Sequence, residues 1–220
     1  MKKIGQIFFT DRAAAGIIAI FYLVGIAGHL YSATLPLMIR LTPWVLMIFG
    51  LYGFAVILKG ASRRVIAWAL AAYLFTFAME VLGVATGAVF GAYRYGQTLG
   101  LMLFEVPVVI GFNWMIIVLA LSAEVFRHIR NPFAGTLLVG VGATLFDWVM
   151  EPAAIALDYW QWEGGSIPAQ NYAAWFLIAA LWAFIYRMLN LATKSRLGLI
   201  FVGIQLFFFI ALRAGGVSFP

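Results

Sequence analysis

The sequence predicts an all-α polytopic membrane protein, a bundle of about seven transmembrane helices with its N-terminus on the cytoplasmic side. Three observations carry this. Hydrophobic residues make up 65% of the 220 and charged residues only 10%, at a mean hydropathy of +1.02. That leaves too little polar material to cover a soluble globule of this length. The apolar residues fall into seven runs that span, or nearly span, a hydrocarbon core of roughly 30 Å. Basic residues cluster in the segments between runs, as in cytoplasmic membrane loops.

The first run, Ala13 to Leu30, follows Lys2, Lys3 and Arg12. Such a start imitates a secretory signal, but no soluble domain follows, so it reads as a retained helix. The second, Trp44 to Leu58, is short and has Pro43 where a first helical turn tolerates proline. The third, Val65 to Val89, carries Glu80 and then Gly83 and Gly87, a G-x-x-x-G spacing that suits close helix packing. The fourth, Val106 to Phe126, opens with Pro107. The fifth, Phe133 to Ala154, follows Pro132 and carries Asp147, Glu151 and Pro152, the last expected to kink or end it. The sixth runs from Tyr172 to Leu191, and the seventh, again short, from Leu197 to Leu212. No internal repeat, low-complexity segment or linker divides the chain, so residues 1–220 read as a single integral membrane domain.

With the N-terminus inside, the cytoplasmic side holds Lys2, Lys3, Arg12, Lys59, Arg63, Arg64, Arg127, Arg130, Arg187, Lys194 and Arg196, against Arg40, Arg94 and Arg213 outside. The net charge of +6 is then a matter of topology, and no nucleic-acid partner is expected. The longest connections, Tyr93 to Phe104 and Leu157 to Asn171, fall outside. Tyr159, Trp160 and Trp162 there suit an interfacial belt.

Polar residues converge in the outer half. At a rise of about 1.5 Å per residue, Glu80 lies roughly 22 Å up the third helix from Val65, and Asp147 roughly 21 Å up the fifth from Phe133. Asn113, about 10 Å down the fourth helix from Val106, reaches nearly the same level. Glu105 sits at the mouth above this layer, and Glu151 one turn beyond Asp147 on the same face. Charged groups at membrane depth are costly and mark functional sites by default. Each also has a plainer role: Glu80, Asp147 or Asn113 as an interhelical hydrogen-bonding group, Glu105 or Glu151 as a solvated carboxylate.

Two carboxyls in one apolar layer do not both ionise readily, so one can hold a proton while the other accepts one. Phe77, Trp114 and Trp148 offer ring faces to a cation, although core packing is the commoner aromatic role. Protonating an alkene, sheltering the carbocation and delivering water requires these ingredients and no cofactor. Metal-dependent oxygenation fits poorly. The chain has no cysteine and only His29 and His128, and metal sites favour imidazole or thiolate ligands. A seven-helix retinal receptor is disfavoured too, because the seventh run has no lysine for a Schiff base.

The spaced set Glu80-x-x-Gly83-x-x-x-Gly87-x-x-Phe90-Gly91-x-Tyr93-x-Tyr95, Pro107, Trp114, Asp147, Glu151-Pro152, Trp160-x-Trp162-Glu163 and Gly165-x-Ile167-Pro168-x-x-Asn171-Tyr172-x-x-Trp175 resembles the carotenoid biosynthesis membrane family that includes carotenoid 1,2-hydratases and the bisanhydrobacterioruberin hydratase. The resemblance covers roughly Glu80 to Trp175. It implies addition of water across the terminal C1,C2 double bond of an acyclic (ψ) carotenoid end group in the inner or plasma membrane of a prokaryotic cell. The expected assignment makes Glu80 and Asp147 acid and base in either order. Tyr93, Glu105, Asn113, Trp114, Trp148, Glu151 and Asn171 contact water or the end group, with no metal or other cofactor. A polyene near Gly83, Gly87, Gly140 and Gly142 would place its end in the polar layer. The expected partners are that carotenoid and the lipid bilayer, and the oligomeric state stays open. Two other readings use the same residues: a proton-coupled carrier with a carboxyl relay, and a carotenoid-binding protein whose carboxyls hold helices together.

Overall fold

In hydrocarbon, a spanning segment must satisfy its own backbone, which leaves helices as the solution for a chain of this composition. The computed structural model describes residues 10–217 and contains seven such helices: α1 (Asp11–Leu30), α2 (Leu35–Ile57), α3 (Arg63–Thr86), α4 (Val108–His128), α5 (Pro132–Ala156), α6 (Ala169–Met188) and α7 (Leu197–Ala214). Each is long and apolar enough to cross a membrane, and the protein is an integral membrane protein. Lys2 and Lys3 lie outside the described residues.

Local chemistry sets the helix ends. The Thr10 side chain accepts from the Ala13 N–H, Ser62 from Val65, and Asn131 from Phe133 and Ala134, each satisfying an N-terminal donor. Gly87 closes α3 in the left-handed region at φ 65°, a conformation glycine adopts without a Cβ clash. It ends the helix at Thr86 rather than Val89, and it serves this turn rather than a helix–helix contact.

The second helix is not short. It begins at Leu35 rather than Trp44, with Pro36 in its first turn and Pro43 inside it. The stretch around Arg40 and Thr42 that breaks the apolar run is helical, because Thr42 Oγ1 donates to Met38 O at 2.9 Å and Arg40 is exposed, where its stem can follow the helix outward. Likewise α5 continues through Pro152 to Ala156, Pro107 is the residue before α4 rather than part of its first turn, and α6 begins at Ala169.

Helix α4 forms the centre, packing against α2, α3, α5, α6 and α7, while α5 with α6 is the most extensive pair. Small residues permit the closest approaches. A Cβ at Gly111 would lie 2.9 Å from that of Phe77, and across the same contact Thr76 Oγ1 donates to Gly111 O at 3.1 Å. Gly140 of α5 lies against the Phe176 ring of α6. It is therefore a packing residue rather than the wall of a polyene groove.

At the end where α3 and α5 finish and α4 and α6 begin, the two long connections pair with each other. Strand β1 (Tyr93–Tyr95) runs antiparallel to β4 (Trp160–Trp162), with Tyr93 opposite Trp162 and Tyr95 opposite Trp160. Gly96 N–H to Tyr159 O at 3.0 Å and Thr98 Oγ1 to Leu157 O at 2.9 Å extend the junction. A second ribbon pairs β2 (Met102–Leu103) with β3 (Val106–Pro107) across a two-residue turn at Phe104 and Glu105. Both turn residues have positive φ, 53° and 63°, which a tight hairpin of the I′ kind requires.

Candidate active site

Side chains in a strand alternate between faces, so Tyr93 and Tyr95 on β1 and Trp160 and Trp162 on β4 share the face turned toward the helices. The two tyrosine hydroxyls donate to one oxygen of Glu80, that of Tyr95 at 2.7 Å. The two indole N–H groups donate to one oxygen of Glu151, each at 3.0 Å. From α6, Asn171 Nδ2 donates to Asp147 at 2.6 Å and to the other oxygen of Glu151 at 3.4 Å. The ribbon is thus a polar lid. Glu80, Asp147, Glu151 and Asn171 are all at most 3% exposed, and Glu151 is not a solvated interfacial carboxylate. Both tyrosines lie outside the helices, and burial, reinforced by the nearby charge of Glu80, raises their phenols above the ordinary 10.0. They remain O–H donors.

The three carboxyls line one small cavity of about 20 Å³, room for about one water molecule. Its apolar wall is an aromatic stack: Trp114 lies on Trp175 at 3.6 Å between ring centroids, and Trp175 on Phe90 at 4.9 Å. Gly83, one turn above Glu80, leaves the space that this wall needs. A Cβ there would lie 2.6 Å from the Phe90 ring and 3.2 Å from the Tyr93 hydroxyl.

A second cavity of about 200 Å³ opens between α1, α2, α4 and α7. It is predominantly apolar and shares Ile110, Met150 and Trp160 with the carboxyl cavity. This apolar space lies on the α1 and α2 side, and not along Gly140 and Gly142. Among the described residues no cluster of three or more His, Asp or Glu has the spacing to hold a metal ion.

Of the residues singled out from the sequence, Glu80, Tyr93, Trp114, Asp147, Glu151 and Asn171 line the carboxyl cavity. Four do not. Phe77 packs against Gly111 of α4. Asn113 accepts from Gln205 at 2.8 Å and lines the larger cavity, because the angular position of a residue on its helix, which depth leaves open, turns it to another face. Glu105 is the exposed turn residue between β2 and β3. Trp148 is 53% exposed on the outer face of α5, with the Arg213 guanidinium 5.5 Å from its ring centre. Sequence reasoning missed Tyr95, Trp160, Trp162 and Trp175 as site residues. The signal was present in the Tyr-x-Tyr and Trp-x-Trp pairs, whose spacing of two turns both side chains of an extended segment to one side.

A family model described as carotenoid biosynthesis protein matches residues 42–216, a span that includes every residue of the carboxyl cavity. The chain belongs to the carotenoid biosynthesis protein family. It is 32% identical, over 184 residues, to the bisanhydrobacterioruberin hydratase of Haloarcula japonica; the match covers 77% of this chain and 62% of the relative. The chain thus spans less than two thirds of that relative's length. No solved structure matches it.

Proposed function

We propose that this carotenoid biosynthesis protein is a hydratase adding water across the terminal C1,C2 double bond of an acyclic (ψ) carotenoid in a prokaryotic inner or plasma membrane. The observation that carries the reading is the shared wall. A carboxyl-lined cavity with room for water meets a larger apolar cavity at Ile110, Met150 and Trp160. The 32% identical hydratase supports it.

In this reading Asp147 is the acid and Glu80 the base. Two hydroxyls point at Glu80 and two indoles at Glu151, whereas Asp147 has one amide donor. Donors directed at a carboxylate favour its charged form, so Asp147 is the group that keeps a proton. Asp147 transfers this proton to C2 as the π pair forms the new C–H bond, leaving a tertiary cation at C1. The ring of Trp114, whose stack with Trp175 occupies one face only, stabilises the cation. A water oxygen then bonds to C1, Glu80 takes the released proton, and transfer back to Asp147 through cavity water resets the pair. Every atom of water enters the product, and the chemistry draws on no other reactant.

The test is expression in a bacterium that accumulates lycopene, followed by chromatography and mass analysis of the pigments. A product heavier by one water with an unchanged chromophore is expected. A gain of one oxygen alone indicates hydroxylation and overturns the mechanism. Unchanged pigment, with the protein verified in the membrane, overturns hydration of the lycopene end group.

A further inference from the structure

The larger cavity has walls on several helices, but its exposed lining comes from only two of them. Phe21 and Val24 of α1 are 47% and 60% exposed, Leu41 of α2 is 41% exposed, and all three line it. Its lining residues on α4, α5 and α7 are buried, apart from half-buried Asn113. The opening therefore lies between α1 and α2. These helices touch above and below it. On the cytoplasmic side the Phe21 and Phe49 rings meet at 4.2 Å between centroids. On the outer side a Cβ at Gly28 would lie 2.5 Å from Met38 Sδ, and Thr34 Oγ1 donates to Gly28 O at 2.7 Å. From Phe21 to Gly28, α1 rises about 10 Å, which sets the height of the gap.

Val24 lies about 20 Å along α1 from Asp11, inside a hydrocarbon core of roughly 30 Å, so the gap faces lipid. No Asp, Glu, Lys or Arg among the described residues lines the cavity, and Ile20, Trp44 and Ile48 on the same two helices are exposed and apolar. A charged molecule gains nothing along such a route, whereas a hydrocarbon passes from one apolar surrounding to another. Entry through water would instead expose the whole chain, at a cost proportional to its apolar area.

We propose that the gap between α1 and α2, edged by Phe21, Val24 and Leu41, is a lateral portal through which the carotenoid passes between the bilayer core and the cavity. This deepens the proposed function and rests on it for the identity of the molecule that passes.

The experiment reads entry alone, with no carotenoid and no turnover. A phenyldiazirine bearing an alkyl chain is added to vesicles containing the full-length protein; on irradiation it loses nitrogen, and the carbene inserts into a C–H bond of the residue it touches. Mass analysis of peptides locates the label. Leu99, Val109 and Met150, at most 4% exposed and lining the cavity, report entry, and Leu137 and Leu177, 55% and 65% exposed, report the lipid face. The wild type is expected to be labelled at both sets. In Val24→Trp/Leu41→Trp, which enlarges side chains already facing lipid, labelling of the cavity set soon after addition of the probe should fall about tenfold, as a modest added barrier to passage implies. The lipid-face set should be unchanged, and Leu145→Trp, placed at an exposed position of α5, should alter neither. Misfolding raises labelling of buried residues, so it does not imitate the expected loss. Cavity labelling equal to wild type in the double variant, or lipid-face labelling without cavity labelling in the wild type, overturns the portal. Unchanged pigment in the hydration assay together with the expected loss of labelling rejects the reaction and keeps the portal.

Discussion

Asp147→Asn isolates the proton from the structure that holds it. The asparagine has nearly the same shape, and its carbonyl oxygen can still accept the Asn171 amide that reaches Asp147 at 2.6 Å. The fold therefore loses at most about one hydrogen bond, about 1 kcal/mol, and the unfolding midpoint in detergent is expected to move by only a few degrees. What disappears is the transferable proton. General acid catalysis contributes roughly 10²–10⁴-fold, equal to about 3–5 kcal/mol of barrier. Turnover should fall by that factor while pigment binding in the larger cavity persists. The assay is the ratio of hydrated to parent pigment in membranes, normalised to the amount of folded protein, with Glu80→Gln measured in parallel. A folded Asp147→Asn variant within twofold of wild type would refute the assignment of the acid, and the same result for Glu80→Gln would refute that of the base.

The lid hydroxyls give a test of pH dependence. The Tyr93 and Tyr95 phenols are raised above 10.0 by burial and by Glu80, so the folded state favours their neutral form. Their stabilisation is complete below about pH 10, where the unfolded phenols are also neutral, and is lost as the pH rises above it. Melting temperatures measured from about pH 7 to 11 should fall at the alkaline end, less steeply in the Tyr93→Phe/Tyr95→Phe variant. Trp162→Phe removes one of the two indole donors to Glu151, and thermal unfolding should show a loss of about 1–3 kcal/mol. Gly83→Ala forces a methyl into the Phe90 ring, whereas Gly16→Ala meets nothing within 4 Å. The first should cost about 1–3 kcal/mol and lower turnover, and the second should be neutral in both the melting curve and the pigment assay.

The sequence by itself determined that this chain is a membrane bundle. Apolar runs of spanning length admit only helices in lipid, and all seven are present. It also brought Glu80 and Asp147 to one level, since the helical rise is a constant and depth follows from counting residues. Angular position does not follow from counting in a helix that is apolar all round, and for that reason Asn113 faces the larger cavity instead of the carboxyls. Only the tertiary structure decided that the connections fold back as a lid. The cross-strand pairing of Tyr93–Tyr95 with Trp160–Trp162 joins residues more than sixty positions apart, and nothing local to either segment specifies its partner. That pairing turns aromatics suited to an interfacial belt into hydrogen-bond donors for Glu80 and Glu151, and it encloses carboxyls that would otherwise face water.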